Sequence, residues 1–495
     1  MMFVKEILNP VLNSIEQFAD RNAFMIGESY YTYRDFGLCI SKVRARIQES
    51  DFEGKNVGLM ANDDLETYAS IFAIWLEGLA YVPIHPSYPL DRGQGIIEEA
   101  EIGLFIDSSL DCHYQEVVII KSKELSDCEL NLVPVNTNED SLAYILFTSG
   151  STGKPKGVPI TRANLVAFMS AFWQIGFQVD ETDKCLQYFD LSFDISIQSY
   201  LVPLQKGACT YTVGHDKIKP TYTVELLEDH ELTFGATPPS MIRFLRPYFE
   251  EIDLPHLKCN ILCAEASALD LIKEWKDCIP NSNIYNLYGP TEATIYCTYS
   301  EFYQNKKNKH LNGMLSIGKP LNGVDILVVD EDNKEVLKGE KGELCVSGEL
   351  VTKGYWKNEL KNEEAFFIEL YNGKEKRFYK TGDLCFIDSD SDIMLSGRLD
   401  YQVKVQGYRI ELGEIEHLAR EFSQGHNAVA VIFDNRLGHT EIALFIEGKI
   451  DVKELANYLK TKLPVYMCPT KLICDIEFPL NINGKVDRPQ LRKLV

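Results

Sequence analysis

The sequence predicts an α/β protein. A large N-terminal domain of buried sheets with flanking helices and a small barrel-like portion precedes a smaller α+β C-terminal domain. Three observations predict this. Short apolar runs alternate with longer helical patterns through the first 330 residues, as expected of sheets buried between helices. Gly- and Tyr-rich strand patterns begin near Gly339. Beyond about Asp400 the elements shorten into a set that is self-contained.

In chain order, "VGLMA" near 57, "YVPI" near 81, "LAYILF" near 142 and "DILVVD" near 325 predict buried strands, and "LDLIKEWKDCI" between them predicts a helix. "GELCVSGELVTKGYW" at 342–356 reads as the small antiparallel or barrel-like portion,. Further on, "VKVQGYRIE" predicts a strand, "GEIEHLAREF" a helix, and "AVAVIFD" with "EIALFIEG" a hairpin. "DVKELANYLKTKL" sets Val452, Leu455, Leu459 and Leu463 on one helical face,. The expected division is a core of residues 1–397, a hinge at 398–402 and a C-terminal domain at 403–495,.

Composition bounds the function. At 495 residues the chain is too long for one compact core,. Its formal net charge of -23 argues against a nucleic-acid partner or an anionic membrane surface,. The longest apolar stretch, "IFAIWLEGLAYVPI", is broken by Glu77 and too short to span a bilayer,. Thirteen cysteines without a C-x-x-C pair, behind an N-terminus lacking a secretory pattern, predict reduced thiols and a cytoplasmic location,.

One stretch points to chemistry. "YILFTSGSTGKPKG" at 144–157 runs from an apolar strand into a loop of glycines, hydroxyls and lysines. Such a loop suits phosphates, yet Gly153-Lys154 is followed by Pro155, so the common G-x-x-x-x-G-K-[ST] device is absent,. In so acidic a chain, a polyanion has to be held locally by amides, hydroxyls, a few lysines or a metal.

With "NLYGPTEATIYCT", "GELCVSGELVTKGYW", "YKTGDL", "GRLDYQVKVQGYRIELGEIE" and "NINGKVDR" following in order, and "YTYRDF" and "AYVPIHPSYP" upstream, the chain resembles the adenylate-forming enzymes, which include acyl-CoA ligases and the adenylation domains of nonribosomal peptide assembly. The resemblance implies two steps. A carboxylate attacks the α-phosphate of ATP, giving an acyl-adenylate and pyrophosphate, and a thiol then attacks the adenylate.

The loop is then expected to hold the β- and γ-phosphates, through Thr148, Ser149, Gly150, Ser151, Thr152 and Gly153 with Lys154 and Lys156,. By the same resemblance Glu292 binds Mg²⁺, Thr291 donates to phosphate, and Lys485 brings a positive charge to the α-phosphate and the substrate carboxylate from a mobile C-terminal domain,. Asp383 accepts both ribose hydroxyls, Arg398 assists at ribose and phosphate, and Asn286 and Tyr288 meet the adenine,. Outside this pattern, a lone aspartate or tyrosine in a loop reads as a cap or a core residue.

"YFDLSFDISI" resembles the stretch in which amino-acid-activating members keep an aspartate for the substrate's α-ammonium, here Asp190. A carboxylate about 4 Å from an ammonium, at an effective dielectric near 20, gains on the order of 4 kcal/mol before desolvation. By position, Leu191, Asp194, Ala236, Leu262, Ala264, Leu287, Ile295 and Tyr296 line the rest of the pocket. An inward Asp194 implies a second positive group on the substrate; an outward one implies a small neutral side chain. "ILCAEAS" resembles the D-alanine–carrier-protein ligases, whose cysteine matches Cys263, although Ala264 stands where they usually have glycine. His85 stands where the family typically has aspartate.

Asp400 is the expected hinge residue, and Gly407 is expected beside the thiol's tunnel, the alternative for that glycine being an ordinary strand turn,. The chain stops ten residues after Lys485. The expectation is therefore a stand-alone amino-acid adenylation enzyme using ATP and Mg²⁺. It charges a phosphopantetheinyl carrier protein supplied in trans, coenzyme A being the less favoured acceptor. The alternatives are a D-alanine–carrier-protein ligase serving the cell envelope and an acyl-CoA ligase for a non-amino acid.

Overall fold

A computed structural model describes residues 1–109, 113–150, 155–215, 217–436, 438–480 and 486–495. The chain divides into two compact units. The first comprises Met1–Pro86, Ile97–Leu146 and Gly157–Leu399, and the second comprises Ser87–Ile96, Phe147–Lys156 and Asp400–Val495.

The first unit is built on two large sheets. One has nine strands among the described residues, in the order Lys319–Pro320, Thr298–Phe302, Asn283–Tyr288, Cys259–Leu262, Phe234–Thr237, Lys184–Gln187, Cys209–Thr212, Asn22–Ile26 and Ser29–Thr32. The six strands from Asn283–Tyr288 to Asn22–Ile26 run parallel to their neighbours. The other large sheet has the order Val118–Lys121, Leu104–Asp107, Asn56–Met60, Ala80–Ile84, Leu142–Thr148 and Lys156–Thr161. Parallel strands covered on both faces need continuous apolar sequence. Ala80–Ile84 is buried at every position, and Trp75 on the buried helix Leu65–Leu76 donates its indole N–H to the Ala143 carbonyl at 2.8 Å.

The portion expected to be barrel-like is a five-stranded antiparallel sheet. Val324–Val329, Gly342–Gly348, Lys374–Ile387 and Phe366–Tyr371 follow one another, with Ile393–Arg398 on the far part of the long third strand. The fourteen-residue strand Lys374–Ile387 serves two neighbours in succession along its length, so the sheet extends without closing on itself.

In the second unit, Ala428–Asp434 pairs antiparallel with Thr440–Ile446, which pairs parallel with Lys471–Cys474. The helices Leu412–Phe422 and Val452–Lys462 contribute Ile415, Ala419, Leu455 and Leu459 to one apolar core with Ala430, Ile442 and Leu444. Val452 is exposed while Leu455, Leu459 and Leu463 are buried, because it opens the helix directly after the capping Asp451.

Candidate active site

The candidate residues of the first unit collect where parallel strands end. Asp190 follows Lys184–Gln187, His215 follows Cys209–Thr212, and Cys263 follows Cys259–Leu262. Gly289 to Glu292 follow Asn283–Tyr288, Ala236 lies one residue before the end of the strand Phe234–Thr237, and His85 follows Ala80–Ile84. The carboxyl ends of parallel strands are where open α/β sheets hold their ligands.

Asp190 is 6% exposed and sits inside a cluster of cationic and imidazole side chains. Lys219 donates from Nζ to its Oδ1 at 2.5 Å, and His215 Nδ1 lies 3.2 Å from the same oxygen. His85 Nε2 lies 3.7 Å from Oδ2. Lys219 also bonds the Tyr188 carbonyl at 3.3 Å, and His215 Nε2 lies 3.0 Å from the Ala61 carbonyl. Burial alone would raise the Asp190 pKa, but the Lys219 charge, the His215 bond and His85 together hold it well below the carboxylate range,. Burial pushes His85 down to about 4 against the pull of Asp190. For His215 burial acts the same way, yet the Asp190 bond and charge outweigh it and the net shift is upward. The two imidazoles lie 4.7 Å apart centre to centre, and their pKa values are displaced in opposite directions, His215 upward and His85 downward. Ligand atoms of His85, Asp190 and His215 lie within 4.8 Å of one another. The Lys219 ammonium supplies a cation at Oδ1 of the same carboxylate.

Leu191, Ala236, Leu262, Cys263, Leu287, Ile295 and Tyr296 are buried, and Ala264 is half-buried. Asp194, the first residue before the helix Ile195–Leu204, has helical backbone angles and makes no side-chain cap. Its carboxylate is buried and raises the pKa of Tyr81, Tyr144 and Tyr296, behind the larger effect of their burial. It therefore lies inward, among tyrosines. The backbone here is strained: Ala264 has φ +69°, Thr294 +49° and Ile295 +76°. A left-handed β-branched residue is a true outlier, and such strain concentrates at ligand sites. Gly289 allows it, since a Cβ there would lie 2.5 Å from the Ile295 carbonyl oxygen.

Asp383 and Arg398 are cross-strand partners, joined by Nη1 to Oδ1 at 2.7 Å. Tyr288 donates its hydroxyl to Asp383 Oδ2; burial and that carboxylate push the phenol well above its usual pKa. Asn286 does not present its amide outward. Its Nδ2 donates to the Ser316 carbonyl at 2.9 Å and its Oδ1 accepts from Ser267 at 2.9 Å, which ties its strand to two connecting segments. Glu292 is fully buried, with Oε1 accepting from the Tyr355 hydroxyl at 2.7 Å. Thr291, half-buried, opens the single turn Thr291–Ala293 that carries it. An all-oxygen donor set of this kind fits a hard divalent cation.

In the second unit, Ser149 donates from Oγ to the Arg409 carbonyl at 3.1 Å and accepts from Glu411 N–H at 3.1 Å. Lys156 Nζ lies 4.0 Å from Glu411 Oε1, and Thr148 Oγ1 lies 3.5 Å from the Lys156 carbonyl. Arg92 pairs with Glu414 at 2.6 Å. Burial raises the Glu414 pKa, while Arg92 and the Gly150 backbone amide oppose it. Asp400 is exposed and accepts from Gln402 N–H at 3.2 Å. Gly407, at φ +83°, follows Gln406 at φ +51°. The pair forms the two-residue turn between Gln402–Val405 and Tyr408–Glu411, the conformation a tight hairpin requires. Ser151, Thr152, Gly153, Lys154 and Lys485 lie outside the described residues.

Sequence reasoning missed His215, Lys219, Tyr355 and Ala61. The signal for the first two was a histidine and a lysine four apart in "GHDKIKP", directly after a strand.

The fold and these residues define an ATP-dependent adenylate-forming enzyme. The profile of the AMP-binding enzyme family matches residues 12–356, and the chain belongs to that family. It is 32% identical over 489 residues to tyrocidine synthase 1 of Brevibacillus parabrevis, covering 96% of this chain but 44% of that protein, so it spans less than half of that relative. It is 31% identical over 508 residues to the D-alanine–D-alanyl carrier protein ligase of Bacillus licheniformis, covering 98% of this chain and 99% of that protein. The fold is similar to that of the Vibrio cholerae adenylation domain AlmE solved with glycyl-adenosine-5′-phosphate. The TM-score is 0.85 at 24% identity, covering 98% of this chain and 97% of that one. Among the described residues, no helix is long and apolar enough to cross a membrane.

Proposed function

We propose that the chain activates an amino acid in the cytoplasm and charges a carrier protein with it. The substrate carboxylate attacks the α-phosphate of ATP and pyrophosphate leaves. The phosphopantetheine thiol of the carrier then takes the aminoacyl group, releasing AMP. The observation that carries this reading is Asp190: a buried carboxylate at a strand end, its pKa held down by Lys219 and His215, beside the buried side chains of Phe189 and Leu191. The similarity to a D-alanyl carrier protein ligase along nearly the full length of both chains supports a carrier as acceptor.

Two anions must meet in the first step, so catalysis consists chiefly of placing positive charge where negative charge develops. Lys485 supplies it at the α-phosphate, and the loop from Thr148 to Lys156 holds the departing phosphates. Asp383, oriented by Arg398 and Tyr288, accepts the ribose hydroxyls. Glu292 and Thr291 would hold Mg²⁺, which when bound neutralises phosphate charge. Residues 403–495 turn about 398–402 between the steps, withdrawing Lys485 and bringing the Gly407 hairpin to the thiol's path.

D-alanine is one candidate substrate within this reading. A second reading, a carboxylic acid without an α-ammonium, is favoured by one observation: Lys219 already bonds Asp190 at 2.5 Å. ATP–pyrophosphate exchange over amino acids, both enantiomers of alanine and simple carboxylic acids separates the two. Exchange confined to simple acids would sink the amino-acid reading.

A further inference from the structure

Tyr355 has no part in the proposed chemistry, yet it touches the carboxylate expected to meet a metal. Its hydroxyl donates to Glu292 Oε1 at 2.7 Å, within the range of hydroxyl bonds to an ionised carboxylate. Both residues are buried, Glu292 completely. A carboxylate taken out of water needs neighbours that sustain its orientation and its charge. A phenol does both without cancelling the charge, whereas the ammonium or guanidinium of a lysine or arginine at the same point would repel a divalent cation.

The support behind Tyr355 comes from the surrounding chain. Asn362 clamps its backbone, Oδ1 accepting from the Tyr355 N–H at 2.6 Å and Nδ2 donating to the Tyr355 carbonyl at 3.2 Å. The segment before it is tied to the turn that carries Glu292. Thr352 N–H donates to the Glu292 carbonyl at 2.8 Å, and Thr294 Oγ1 donates to the Leu350 carbonyl at 2.5 Å. Glu292 is thus held at its backbone by Thr352 and at its carboxylate by Tyr355, from one short stretch of chain. The Tyr355 hydroxyl also lies 3.3 Å from that of Tyr379. With its single proton directed at Glu292, Tyr355 accepts from Tyr379, and a hydroxyl that accepts becomes a stronger donor. Phe366 packs against both rings, 6.2 Å from Tyr355 and 5.2 Å from Tyr379 between centroids. Tyr379 stands on Lys374–Ile387, the strand that also carries Asp383.

We propose that Tyr355 is a positioning residue for the adenylation step: its hydroxyl, backed by that of Tyr379, holds the Glu292 carboxylate in the orientation and charge state that a phosphate-bound divalent cation meets. The inference rests on the assignment of Glu292 to Mg²⁺ above. In this role Tyr355 sets how much a metal tightens the grip on nucleotide. It leaves the affinity for metal-free nucleotide and for the amino acid as they are.

The test is calorimetric titration with α,β-methylene-ATP, which cannot release pyrophosphate, in saturating Mg²⁺ and again in EDTA. The proteins are the intact chain and its Tyr355→Phe, Tyr379→Phe and Glu292→Gln variants. Tyr355→Phe keeps the ring and is expected to reduce the tightening by Mg²⁺ about tenfold, the size of one hydrogen bond to a charged group. The deficit is expected to widen as pH falls, because the unsupported carboxylate takes up a proton more readily. Affinity in EDTA and the amino-acid KM in pyrophosphate exchange are expected to stay unchanged. Tyr379→Phe, which keeps the Glu292 bond, is expected to reduce the tightening about threefold, and it decides the matter alone if Tyr355→Phe does not fold. An unchanged tightening in folded Tyr355→Phe would overturn the role of Tyr355, as would equal weakening with and without the metal. An intact chain that binds equally well in Mg²⁺ and EDTA, or a Glu292→Gln variant that keeps the full tightening, would overturn the Glu292 assignment and this inference together.

Discussion

Arg398 and Asp383 face each other across two antiparallel strands, with the guanidinium Nη1 2.7 Å from the carboxylate Oδ1 and Nη2 3.2 Å from the Thr381 carbonyl. The arginine thus holds the aspartate in place on the protein side, and the Tyr288 hydroxyl caps its other oxygen. Arg398→Ala leaves that carboxylate largely buried without its cation. It is expected to cost about 2–3 kcal/mol of stability in urea unfolding and to raise the KM for ATP about tenfold in pyrophosphate exchange.

The Asp190 cluster sets a pH signature. The folded pKa of Asp190 lies below its unfolded value, so its contribution to stability is full above about pH 4 and is lost as pH falls below that,. His215 is shifted upward, so its contribution is full below about pH 6.5 and disappears as pH rises through the folded value,. Urea unfolding from pH 3 to 9 should show the alkaline limb and an acid limb, to which His85, pushed down to about 4 by burial, also contributes as pH falls below about 6.5,. His215→Gln is expected to remove the alkaline one and keep the acid one.

Lys219→Met removes the closest partner of a nearly buried charge. At neutral pH the expected loss is about 3 kcal/mol, measured by the same unfolding. A loss of under about 1 kcal/mol would mean the pair behaves as a surface contact.

Strain at the pocket predicts an asymmetry between two small substitutions. Ala264→Gly relieves a left-handed alanine and should stabilise the protein by about 1 kcal/mol,. Gly289→Ala inserts a methyl 2.5 Å from the Ile295 oxygen and 2.6 Å from the Tyr296 Cα. It should cost about 2–3 kcal/mol and most of the exchange activity. Thermal unfolding of the two variants checks both signs.

Lys485 is assigned to the first step only. Lys485→Ala should lower adenylate formation about 100-fold, while thioester formation from preformed adenylate changes by less than about threefold. Single-turnover measurement of the two half-reactions separates them.

Much of this was legible in the sequence because the signals were local. "AVAVIFD" and "EIALFIEG" pair as the expected hairpin, and "LDLIKEWKDCI" is a helix over Leu269–Cys278, since apolar period and turn residues fix such elements. Asp190, Glu292, Asp383 and Arg398 were nominated through motif context. What surrounds them was not, because the partners are distant along the chain. Lys219 and His85 reach one aspartate from opposite sides in sequence, and Tyr355 meets Glu292 across the fold. Asn286 was assigned to adenine because its position matched a pattern; its bonds to Ser267 and Ser316 have no sequence signature. The barrel-like expectation followed from strand-rich composition, which fixes strand content but not closure.

The second unit is assembled from three separate stretches of chain, and that arrangement bears on protein engineering. A chimaera that exchanges only Asp400–Val495 for a foreign counterpart lacking an acid at position 414 would orphan Arg92, whose guanidinium meets Glu414. Grafts between homologues should therefore carry Ser87–Ile96 and Phe147–Lys156 along with the C-terminal piece.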